Sequence, residues 1–451
     1  MIDVRNKKVM VVGMAKSGFS AARLLLKLGA EVLLYDQKPT QNFPGIEELF
    51  TLGAHNCLGK DPVTLAEQAD LLVLSPGVPV KQAFIEQAQK TKQVISEIEL
   101  GYQAAQAEFV CISGTNGKTT TTALTGQIFS DGGRNTYTLG NIGIPICDKA
   151  LETKKGDIIV AEVAALQLET IDKFHPRAAA LLNITEDHLN RFGTMQYYGD
   201  CKMREFENQT AQDFAVMNLD DPLTAARIPE LKARVLLFSR RQEVAEGAYL
   251  KNGSIVFRMD GVEQEICPAA DVRIPGPHNL ENALAAVCLA MSMGIAPASI
   301  AHTLRTFPGV EHRIEFVREV GGVRYINDSK GTNPDSTIKA IQTMSTPTVL
   351  ILGGYDKENT FDEMFAAFTE NIVGIVVLGA TKQKILKAAE DAGYPFVHTA
   401  ETFEQAVETA RSLAPKGGTV LLSPACASWD MFDNFEQRGE IFKQIVHGFE
   451  E

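Results

Sequence analysis

Residues that could bind a nucleotide phosphate stand together in the stretch ISGTNGKTTTTALTGQIF, from Ile112 to Phe129. Gly117, Lys118 and Thr119 match the end of the phosphate-loop pattern G-x-x-x-x-G-K-[ST], but Ile112 stands where its first glycine belongs. Backbone N–H groups and a helix dipole can hold phosphates, a lysine adds a point charge, and a threonine hydroxyl can reach Mg²⁺. We predict an ATP-binding loop; the alternative is a turn that only happens to hold a lysine.

Two later stretches supply side chains that could act on a bound nucleotide. In DIIVAEV, Glu162 stands near the end of a buried strand, where an acid is costly unless it is paired or bound to a metal. ALLNITEDHLNRF then places Asn183 and the run from Glu186 to His188 after a strand. A lone histidine is usually structural. Beside a phosphate loop and a buried acid, we predict a metal or substrate role for His188.

The N-terminal region carries a second glycine pattern, GMAKSG, from Gly13 to Gly18. It nearly matches the G-x-G-x-x-G of dinucleotide-binding domains, and Asp36 follows where a ribose-binding acid would stand. Ala15 replaces the glycine that lets the backbone approach a pyrophosphate. A nucleotide-type ligand and a merely tight strand-to-helix turn both remain open. A further glycine turn in SPGVP, around Gly77, would face the same crevice.

Composition and charge limit the class of protein. The chain has 451 residues, which suggests two to four domains, and it is 45% hydrophobic and 22% charged, as globular proteins usually are. A formal net charge of −13 argues against a nucleic-acid-binding surface. MIDVRNKKVMVVGM goes straight into a strand-like run, so we expect no signal peptide, and no run of apolar residues is long enough to span a membrane. The seven scattered cysteines fit a reducing compartment, so we expect a cytoplasmic protein.

Apolar runs alternate with amphipathic helical patterns, which predicts an α/β fold with doubly wound sheets. KVMVVGM, EVLLYD and DLLVLSPGV are the strands of a first, Rossmann-like domain. FVCISG, DIIVAEV, AAALLNI and FAVMNL belong to a central domain like the phosphate-loop ATPases. VRYIND, TVLILGG, GIVVLG and GGTVLLS form a third domain, again Rossmann-like. We predict three consecutive α/β domains, 1–96, 97–304 and 305–451, and the central domain contains the predicted ATP loop.

Taken together, these motifs resemble the Mur ligase family, with folylpolyglutamate synthases as cousins. The resemblance rests on TNGKTTT, on the strand acid in AEV, and on NITEDHL followed by the lysine of CKMREF. The ATP loop of this family is shorter in pattern than the standard phosphate loop, which accounts for Ile112. In the family, ATP phosphorylates a substrate carboxylate, and an amino acid's amine then attacks the acyl phosphate through a tetrahedral intermediate. The resemblance implies an ATP-dependent amide ligase of peptidoglycan synthesis.

Later motifs narrow the resemblance within the family. INDSKGTN, LILGGYDK and LLSPACASWDMFDNFEQRG are similar to motifs of the members that add D-glutamate to UDP-N-acetylmuramoyl-L-alanine. The D-N-P-R motif of the members that add the third amino acid is absent. The resemblance therefore implies these two substrates, ATP and two Mg²⁺ ions, with the UDP-substrate on domain 1–96, ATP on domain 97–304 and the amino acid on domain 305–451. We expect a monomer with no nucleic-acid partner.

By resemblance, each group of site residues is assigned a ligand. ATP would contact Gly114, Thr115, Asn116, Gly117, Lys118, Thr119, Thr120, Asn279, Asn282, Arg313 and Asp328. Metal ions would be held by Thr119, Glu162, His188 and Lys202, the last carbamylated by CO₂. Catalysis would involve Lys118, Glu162, His188, Lys202 and Lys330. The UDP-substrate would contact Ser17, Asp36, Gln37, Lys38, Gly77, Asn141 and His188. D-Glutamate would contact Thr332, Lys357, Ser428, Trp429 and Phe435. Asn279 could instead cap its helix.

Departures from the family pattern keep alternatives open. Ala164 and Ala165 replace the two serines that usually follow the strand acid, and Trp429 replaces a smaller apolar residue. Because these hydroxyls are missing, a regulatory ATP-binding protein without ligase activity is one alternative. A folate polyglutamate ligase is a second alternative, although such enzymes lack the N-terminal uridine-type domain. A nucleotide-dependent oxidoreductase is a third, suggested by the first glycine turn and Asp36.

Overall fold

The computed structural model of the chain describes residues 2–39, 43, 45–141 and 143–450, apart from the side chain of Asn190. The chain forms two compact units, Met1–Val272 with Leu280–Phe307 and Arg273–Asn279 with Pro308–Glu451. Within the described residues, the first unit holds two β-sheets and the second unit holds one. None of the helices in these ranges is long and apolar enough to cross a membrane.

The N-terminal sheet of the first unit is parallel. Its strands are β1 (Lys8–Val12), β2 (Glu31–Tyr35), β3 (His55–Asn56), β4 (Leu71–Leu74) and β5 (Gln93–Ser96). The helices of this region are α1 (Lys16–Lys27), α2 (Ile46–Thr51), α3 (Pro62–Gln68), α4 (Ala83–Gln89) and α5 (Glu97–Ala104). The strand order is β3-β2-β1-β4-β5, so the glycine turns after β1 and β4 leave the same edge side by side.

The central sheet of the first unit surrounds the predicted phosphate loop. Its strands are β6 (Glu108–Ser113), β7 (Thr136–Gly140), β8 (Ile158–Glu162), β9 (Ala178–Leu181), β10 (Phe214–Asn218), β11 (Arg234–Ser239), β12 (Gly247–Lys251), β13 (Ser254–Met259) and β14 (Val262–Pro268). The helices are α6 (Lys118–Asp131), α7 (Ile146–Lys149), α8 (Ala165–Leu168), α9 (Leu189–Phe192), α10 (Met195–Met203), α11 (Pro222–Ala225), α12 (Pro277–Ser292) and α13 (Pro297–Thr306). Short 3-10 helices span Ala150–Glu152, Arg204–Phe206, Ile228–Glu230 and Ala269–Asp271. The strand order is β14-β13-β12-β11-β10-β9-β6-β8-β7.

An antiparallel extension, β12 to β14, completes this sheet, and the strand patterns of the sequence analysis did not predict it. Asn252 and Gly253 connect β12 to β13, and Asp260 and Gly261 connect β13 to β14, all with φ between +51° and +82°. Two-residue turns of Asn-Gly or Asp-Gly with positive φ are the favoured connections of β-hairpins. The signal was therefore present in the sequence, in the turn residues rather than in the strands.

In the sheet of the second unit, the last strand along the chain lies between two strands that come much earlier in the sequence. Its strands are β15 (Glu315–Val320), β16 (Val323–Asn327), β17 (Thr348–Gly353), β18 (Ile372–Leu378), β19 (Val397–Thr399) and β20 (Thr419–Leu422). The helices are α14 (Pro334–Gln342), α15 (Asp362–Ala366), α16 (Lys382–Asp391), α17 (Phe403–Leu413) and α18 (Phe435–His447). The order is β15-β16-β20-β17-β18-β19, and only the β15–β16 pair is antiparallel in the described part. The loops that follow β16, β20 and β17 therefore begin at the same edge of the sheet and are neighbours there.

Candidate active site

The predicted phosphate loop connects the end of β6 to the start of α6, the position that a phosphate loop requires. Gly114 has a φ of +148° and Gly117 a φ of +85°, values that favour glycine. A Cβ atom on Gly117 would lie 2.4 Å from Oδ1 of Asn282, so a side chain there would displace that amide. Lys118 donates from Nζ to the carbonyl oxygens of Gly114 and Thr115, each at 2.8 Å. Gly114 and Gly117 therefore form a tight turn, which we call the glycine cradle, and the side chain of Lys118 lies back across it.

Asn183 follows the neighbouring strand β9 and fixes the backbone of the loop. Its Oδ1 accepts hydrogen bonds from the N–H groups of Thr115 at 3.1 Å and Asn116 at 2.8 Å. Its Nδ2 donates to the carbonyl oxygen of Asn116 at 3.0 Å. Thr185 donates its N–H to Oγ1 of Thr115 at 3.0 Å. The start of the NITEDH motif therefore supports the phosphate loop, a role that only the pairing of β6 with β9 reveals.

Glu162 ends β8, the other neighbour of β6, and is only 2% exposed. Its Oε1 accepts a hydrogen bond from Nδ2 of Asn141 at 3.1 Å. Its Oε2 has no hydrogen-bond partner in the described part of the chain. A buried carboxylate oxygen without a donor is costly unless a cation reaches it, and carboxylate and hydroxyl oxygens are ligands that Mg²⁺ prefers. The residues at this edge therefore fit a divalent cation.

Lys202 of α10 is buried beside the loop, where its Nζ donates to the carbonyl oxygen of Gly114 at 2.8 Å. Burial is the main reason that the pKa of Lys202 lies well below its ordinary value, and the positive charge of Lys118 lowers it further. Glu205 is also buried, and burial raises its pKa well above the ordinary value. Both carboxyl oxygens of Glu205 are without a hydrogen-bond partner within the described ranges. An uncharged lysine amine is the form that reacts with CO₂, so this environment suits the predicted carbamate.

Glu205 was missed by the sequence analysis. Its signal was its position three residues after Lys202, in CKMREF, which is one helical turn further along the chain. Only burial distinguishes it from an ordinary surface acid.

His188 precedes α9 and has a φ of +53°, an uncommon conformation for a residue with a side chain. Its N–H donates to Oδ1 of Asp187 at 2.9 Å, and its Nε2 lies 3.7 Å from Oδ2 of the same residue. Thr119 and Thr120 are buried in the first turn of α6, and the hydroxyl of Thr120 has no partner among the residues described. Strained backbone of this kind is found at functional sites more often than elsewhere.

The predicted adenine contacts on α12 divide between the two units. Asn282 belongs to the first unit and its Oδ1 lies against Gly117, as described above. Asn279 belongs to the second unit, and its Nδ2 donates to the carbonyl oxygen of Pro275 at 2.7 Å. Both side chains are buried.

The predicted UDP-substrate residues lie around two cavities at the edge of the N-terminal sheet. The smaller cavity, about 410 Å³, is lined by Asp36, Gln37, Lys38 and Gly77 among others. The larger, about 640 Å³, shares Asp36 and Lys38 and adds Lys16 and Arg23. The structure thus brings four of the predicted residues together.

The turn after β1 is shaped by contacts within this edge. Asp36 accepts hydrogen bonds from the N–H groups of Met14 at 3.0 Å and Lys38 at 3.1 Å. A Cβ atom on Gly18 would lie 1.8 Å from the carbonyl oxygen of Gly13, so the helix start packs directly on the turn.

Two predicted residues lie outside these cavities, and two residues that line the larger one were not predicted. Ser17 lies in the first turn of α1 and, within the described residues, does not line either cavity. Asn141 donates from Nδ2 to Oε1 of Glu162 in the central sheet. The two added cations, Lys16 and Arg23, were missed; Arg23 lies over the ring of Phe19 with 5.5 Å between the guanidinium carbon and the ring centroid, four residues apart on α1.

Asp328 follows β16 and is fully buried. Burial raises the pKa of its carboxyl group to about 6, against the attraction of the nearby Arg313 charge. Its Oδ2 accepts a hydrogen bond from Oγ of Ser423 at 2.6 Å, and its Oδ1 accepts one from the N–H of Ile314 at 3.2 Å. Nε of Arg313 has no hydrogen-bond partner in the part of the chain that is described. A cation, Arg313, therefore lies near a carboxyl group with a raised pKa, that of Asp328.

The predicted D-glutamate residues lie on the loops after β16, β17 and β20, which we call the three-loop edge: residues 328–333, 354–361 and 423–435. Lys330 lies over the ring of Phe435, with 5.3 Å from Nζ to the ring centroid, and Lys357 lies over Trp429 at 5.4 Å. Ser428 is buried, whereas Trp429 is 60% exposed. Thr332 is half-buried on the first loop. Cations and hydroxyls here could bind carboxylates.

Comparison with known protein families gives matches along most of the chain. The Mur ligase MurD-like N-terminal domain matches residues 7–96, the Mur ligase middle domain matches residues 112–290, and the Mur ligase glutamate ligase domain matches residues 312–426. The three matches follow in the order in which the sheets occur. The predicted fold class of three consecutive α/β domains is confirmed.

Full-length relatives and solved structures agree with these matches. The chain is 46% identical over 449 residues to the UDP-N-acetylmuramoylalanine–D-glutamate ligase of Thermoanaerobacter pseudethanolicus, with 99% of each chain covered. It is 47% identical to the protein of the same name from Pelotomaculum thermopropionicum, with 98% of each covered. The fold is shared with the UDP-N-acetylmuramate-alanine ligase of Thermotoga maritima, with a TM-score of 0.61 at 18% identity, covering 98% of this chain and 99% of that one. The MurF ligase of Thermotoga maritima, solved in complex with ADP, gives a TM-score of 0.59 at 18% identity, covering 99% of this chain and 96% of that one. The chain belongs to the Mur ligase family.

Proposed function

We propose that this chain is an ADP-forming ligase that joins D-glutamate to UDP-N-acetylmuramoyl-L-alanine in peptidoglycan biosynthesis. The observation that carries the proposal is its identity of 46% over 99% of its length to a ligase named for these substrates. A likeness of this extent includes the regions proposed for all three substrates, whereas a match to one domain would support only ATP binding. A monomer in the cytoplasm stays part of the proposal.

The phosphate loop supports the ATP part of the proposal. N–H groups at the start of α6 and the Lys118 ammonium would bind the phosphates, and the glycine cradle leaves room for them. Bound ATP would supply the phosphoryl group that makes the substrate carboxylate an acyl phosphate, so that phosphate rather than oxide leaves when the amine attacks. Asn279, Asn282, Arg313 and Asp328 are the further nucleotide contacts that we propose.

The carboxylate edge of the central sheet supports a metal requirement. Thr119, Glu162, His188 and a carbamylated Lys202 are the residues proposed to hold two Mg²⁺ ions, which would neutralise phosphate charge. The observation that favours this is that Oε2 of Glu162 has no hydrogen-bond partner among the described residues. The depressed pKa of Lys202 favours the carbamate.

The N-terminal cavities and the three-loop edge would hold the other two substrates. Asp36, Lys38 and Gly77 would contact the uridine diphosphate in the two cavities, and Lys16 of the larger cavity would add positive charge. Arg23 of the larger cavity is paired with Glu48 and Asp148. Asn141 would contact the muramoyl-alanine end. The D-glutamate carboxylates would be bound by residues of the three-loop edge: Thr332, Lys357, Ser428, Trp429 and Phe435. Lys330 and Arg313 would add positive charge around the reacting groups.

A regulatory ATP-binding protein remains the second candidate because of Ala164 and Ala165. The N–H of Ala164 donates to Oε1 of Gln167 at 3.0 Å, so α8 begins without the hydroxyls that the family usually has there. Such a protein would bind ATP but would not release phosphate in the presence of the other substrates.

Phosphate release from Mg-ATP tests the proposal directly. The chain is assayed with UDP-N-acetylmuramoyl-L-alanine and with D-glutamate, L-glutamate or no amino acid. We expect release only when both the nucleotide sugar and D-glutamate are present. ATP binding without release in any mixture would contradict ligase activity and favour the regulatory candidate. In that case the Ala164→Ser, Ala165→Ser double variant shows whether the missing hydroxyls are the cause.

A further inference from the structure

Arg438, on the first turn of α18, is one of the largest fully buried side chains of the described residues, at 1% exposure. Its Nε donates to Oγ of Ser329 at 3.0 Å and its Nη2 donates to the carbonyl oxygen of Ser329 at 2.7 Å. Its Nη1 and Nη2 donate to the carbonyl oxygen of Cys426, each at 3.2 Å, and Nη1 also reaches that of Ala427 at 3.4 Å. Within the described ranges its acceptors are carbonyl and hydroxyl oxygens, and no carboxylate pairs with it directly.

These acceptors belong to different loops of the three-loop edge. Ser329 directly precedes Lys330 on the loop after β16, and Ala427 directly precedes Ser428 on the loop after β20. The carbonyl oxygen of Ala427 also accepts a hydrogen bond from the N–H of Tyr355 at 2.8 Å, on the loop after β17. One guanidinium group therefore links two of the loops directly and reaches the third through a shared acceptor. The antiparallel β-bridge between Tyr355 and Ala427 also joins two of these loops, so the guanidinium group adds to that contact and brings in the third loop.

The charge of Arg438 is as notable as its hydrogen bonds. Burial lowers its pKa to about 10, so the group stays a cation at neutral pH. A buried cation is costly unless it is compensated. Here loop carbonyl oxygens accept its hydrogen bonds, and the charges of Asp430 and Asp328 raise its pKa against the effect of burial. The cation is therefore held in place both by carbonyl oxygens and by acids of the same loops.

We propose that Arg438 is a positioning residue of the amino-acid site: its planar guanidinium group holds together the three loops that present the residues proposed to bind D-glutamate. This inference rests on the proposed function, because it takes the three-loop edge to be where D-glutamate binds. Arg438 does not touch the substrate in this proposal and acts through Ser329, Ala427 and the residues that follow them.

The test compares variants of Arg438 in the full-length chain by their Michaelis constants for all three substrates. Arg438→Lys keeps the charge and loses the planar fork, and Arg438→Gln keeps an amide donor and loses the charge. We expect the KM for D-glutamate to rise about tenfold for Arg438→Lys and about a hundredfold for Arg438→Gln, as truncated charged hydrogen bonds usually cost. The KM for ATP and for the nucleotide sugar should stay within about twofold, and kcat within about threefold.

Two further variants separate positioning from loss of stability. Ser329→Ala removes one acceptor of the guanidinium without removing the charge, and we expect a rise of about two- to fivefold in the KM for D-glutamate. Val446→Ala opens a cavity under the same helix, far along it from the loops, and should lower the unfolding temperature while leaving all three KM values unchanged. If Arg438→Gln fails to fold, Arg438→Lys and Ser329→Ala still decide the question.

Equal rises in the three KM values, or an Arg438→Lys variant that behaves like Val446→Ala, would overturn the positioning role.

Hydrogen exchange keeps this inference distinct from the proposed function. In Arg438→Lys, amides of residues 328–333, 354–358 and 424–430 should exchange faster than in the wild type, and in Val446→Ala they should not. Faster exchange in a chain that turns over no D-glutamate would mean that Arg438 holds the loops but that the proposed substrate is wrong. Unchanged exchange in a variant of a chain that does turn over D-glutamate would mean that the proposed substrate is right but that Arg438 does not hold the loops.

Discussion

The phosphate loop and the three-loop edge achieve anion binding by opposite means. The phosphate loop is a run of consecutive residues, Gly114 to Lys118, whose backbone N–H groups, glycine conformations and single lysine lie within one strand-to-helix connection. The three-loop edge draws on segments that are up to about a hundred residues apart and holds them with the buried Arg438. The first kind of site is visible in a sequence motif, whereas the second depends on strand order. The two sites should accordingly respond differently to substitution.

Removing the lysine of the phosphate loop should have the largest effect. Lys118→Ala removes the ammonium that lies over the loop, and we expect kcat/KM to fall by about a thousandfold, as loss of a preorganised charge at developing negative charge usually does. The phosphate-release assay measures this. Lys155→Ala, an exposed lysine of the same unit, is the matched control and should retain wild-type rates. A Lys118→Ala variant with rates near the wild type would place the phosphates elsewhere.

Adding a side chain at Gly117 should have the second-largest effect. Gly117→Ala introduces a Cβ atom 2.4 Å from Oδ1 of Asn282 at a φ of +85°, so strain and overpacking add, and we expect the Kd for ATP to rise about a hundredfold. Calorimetric titration with ATP measures the change. Gly133→Ala has a φ of +78° but no atom within 4 Å of its Cβ, so it isolates the backbone strain. Equal ATP affinities in the two variants would show that the contact with Asn282 is unimportant.

The acid of the second unit should make stability depend on pH. The pKa of Asp328 is about 6 in the folded chain against an ordinary value of 3.8, so the folded state prefers the protonated acid. Relative to Asp328→Asn, the wild type is therefore most stable below pH 4 and should lose up to about 3 kcal/mol of unfolding free energy as pH rises from 4 to 6. Trp429 is the single tryptophan of the chain, so its fluorescence reports on this unit during urea unfolding. Parallel stability curves for the two proteins would contradict the raised pKa.

The exposed aromatic residue of the three-loop edge should have the smallest effect. Trp429→Leu removes the ring under Lys357, a cation–π contact worth about 0.5–1 kcal/mol, and we expect a rise of about two- to fivefold in the KM for D-glutamate. Steady-state kinetics with saturating ATP and nucleotide sugar measure it. Phe396→Leu, another exposed aromatic of the same unit, should leave this constant unchanged. A fall in the KM would mean that the tryptophan narrows the site instead of holding the lysine.

Much of the fold could be predicted because buried parallel strands are continuous apolar runs. KVMVVGM, EVLLYD and GIVVLG each became a strand, and TTTTALTGQIF and TFEQAVETARSLA became helices. Of the antiparallel strands that were missed, the outermost, β14, is polar and exposed over most of its length, as expected for a strand at the edge of a sheet. Their hairpin turns, Asn252-Gly253 and Asp260-Gly261, carried the stronger signal.

The candidate site could be predicted where one motif carries its own chemistry. Lys118 and Glu162 were identified from their immediate neighbours, since a glycine-rich turn and an acid in an apolar strand are unusual by themselves. Asn183, Glu205 and Arg438 received no role, because an amide, an acid and an arginine are ordinary residues until burial shows what they bind. Arg438 had one signal: it stands in register with the apolar face of α18.

By itself, the sequence determined the order of strands and helices, the phosphate loop and the family, because each depends on residues that are close together along the chain. Only the tertiary structure decided that β9 and β8 flank β6, which brings Asn183 to the loop and leaves Oε2 of Glu162 without a hydrogen-bond partner in the part of the chain that the structure describes. Likewise, only the insertion of β20 between β16 and β17 brings three distant loops to one guanidinium group. Strand order is set by the packing of the whole sheet, and no local pattern of residues encodes it.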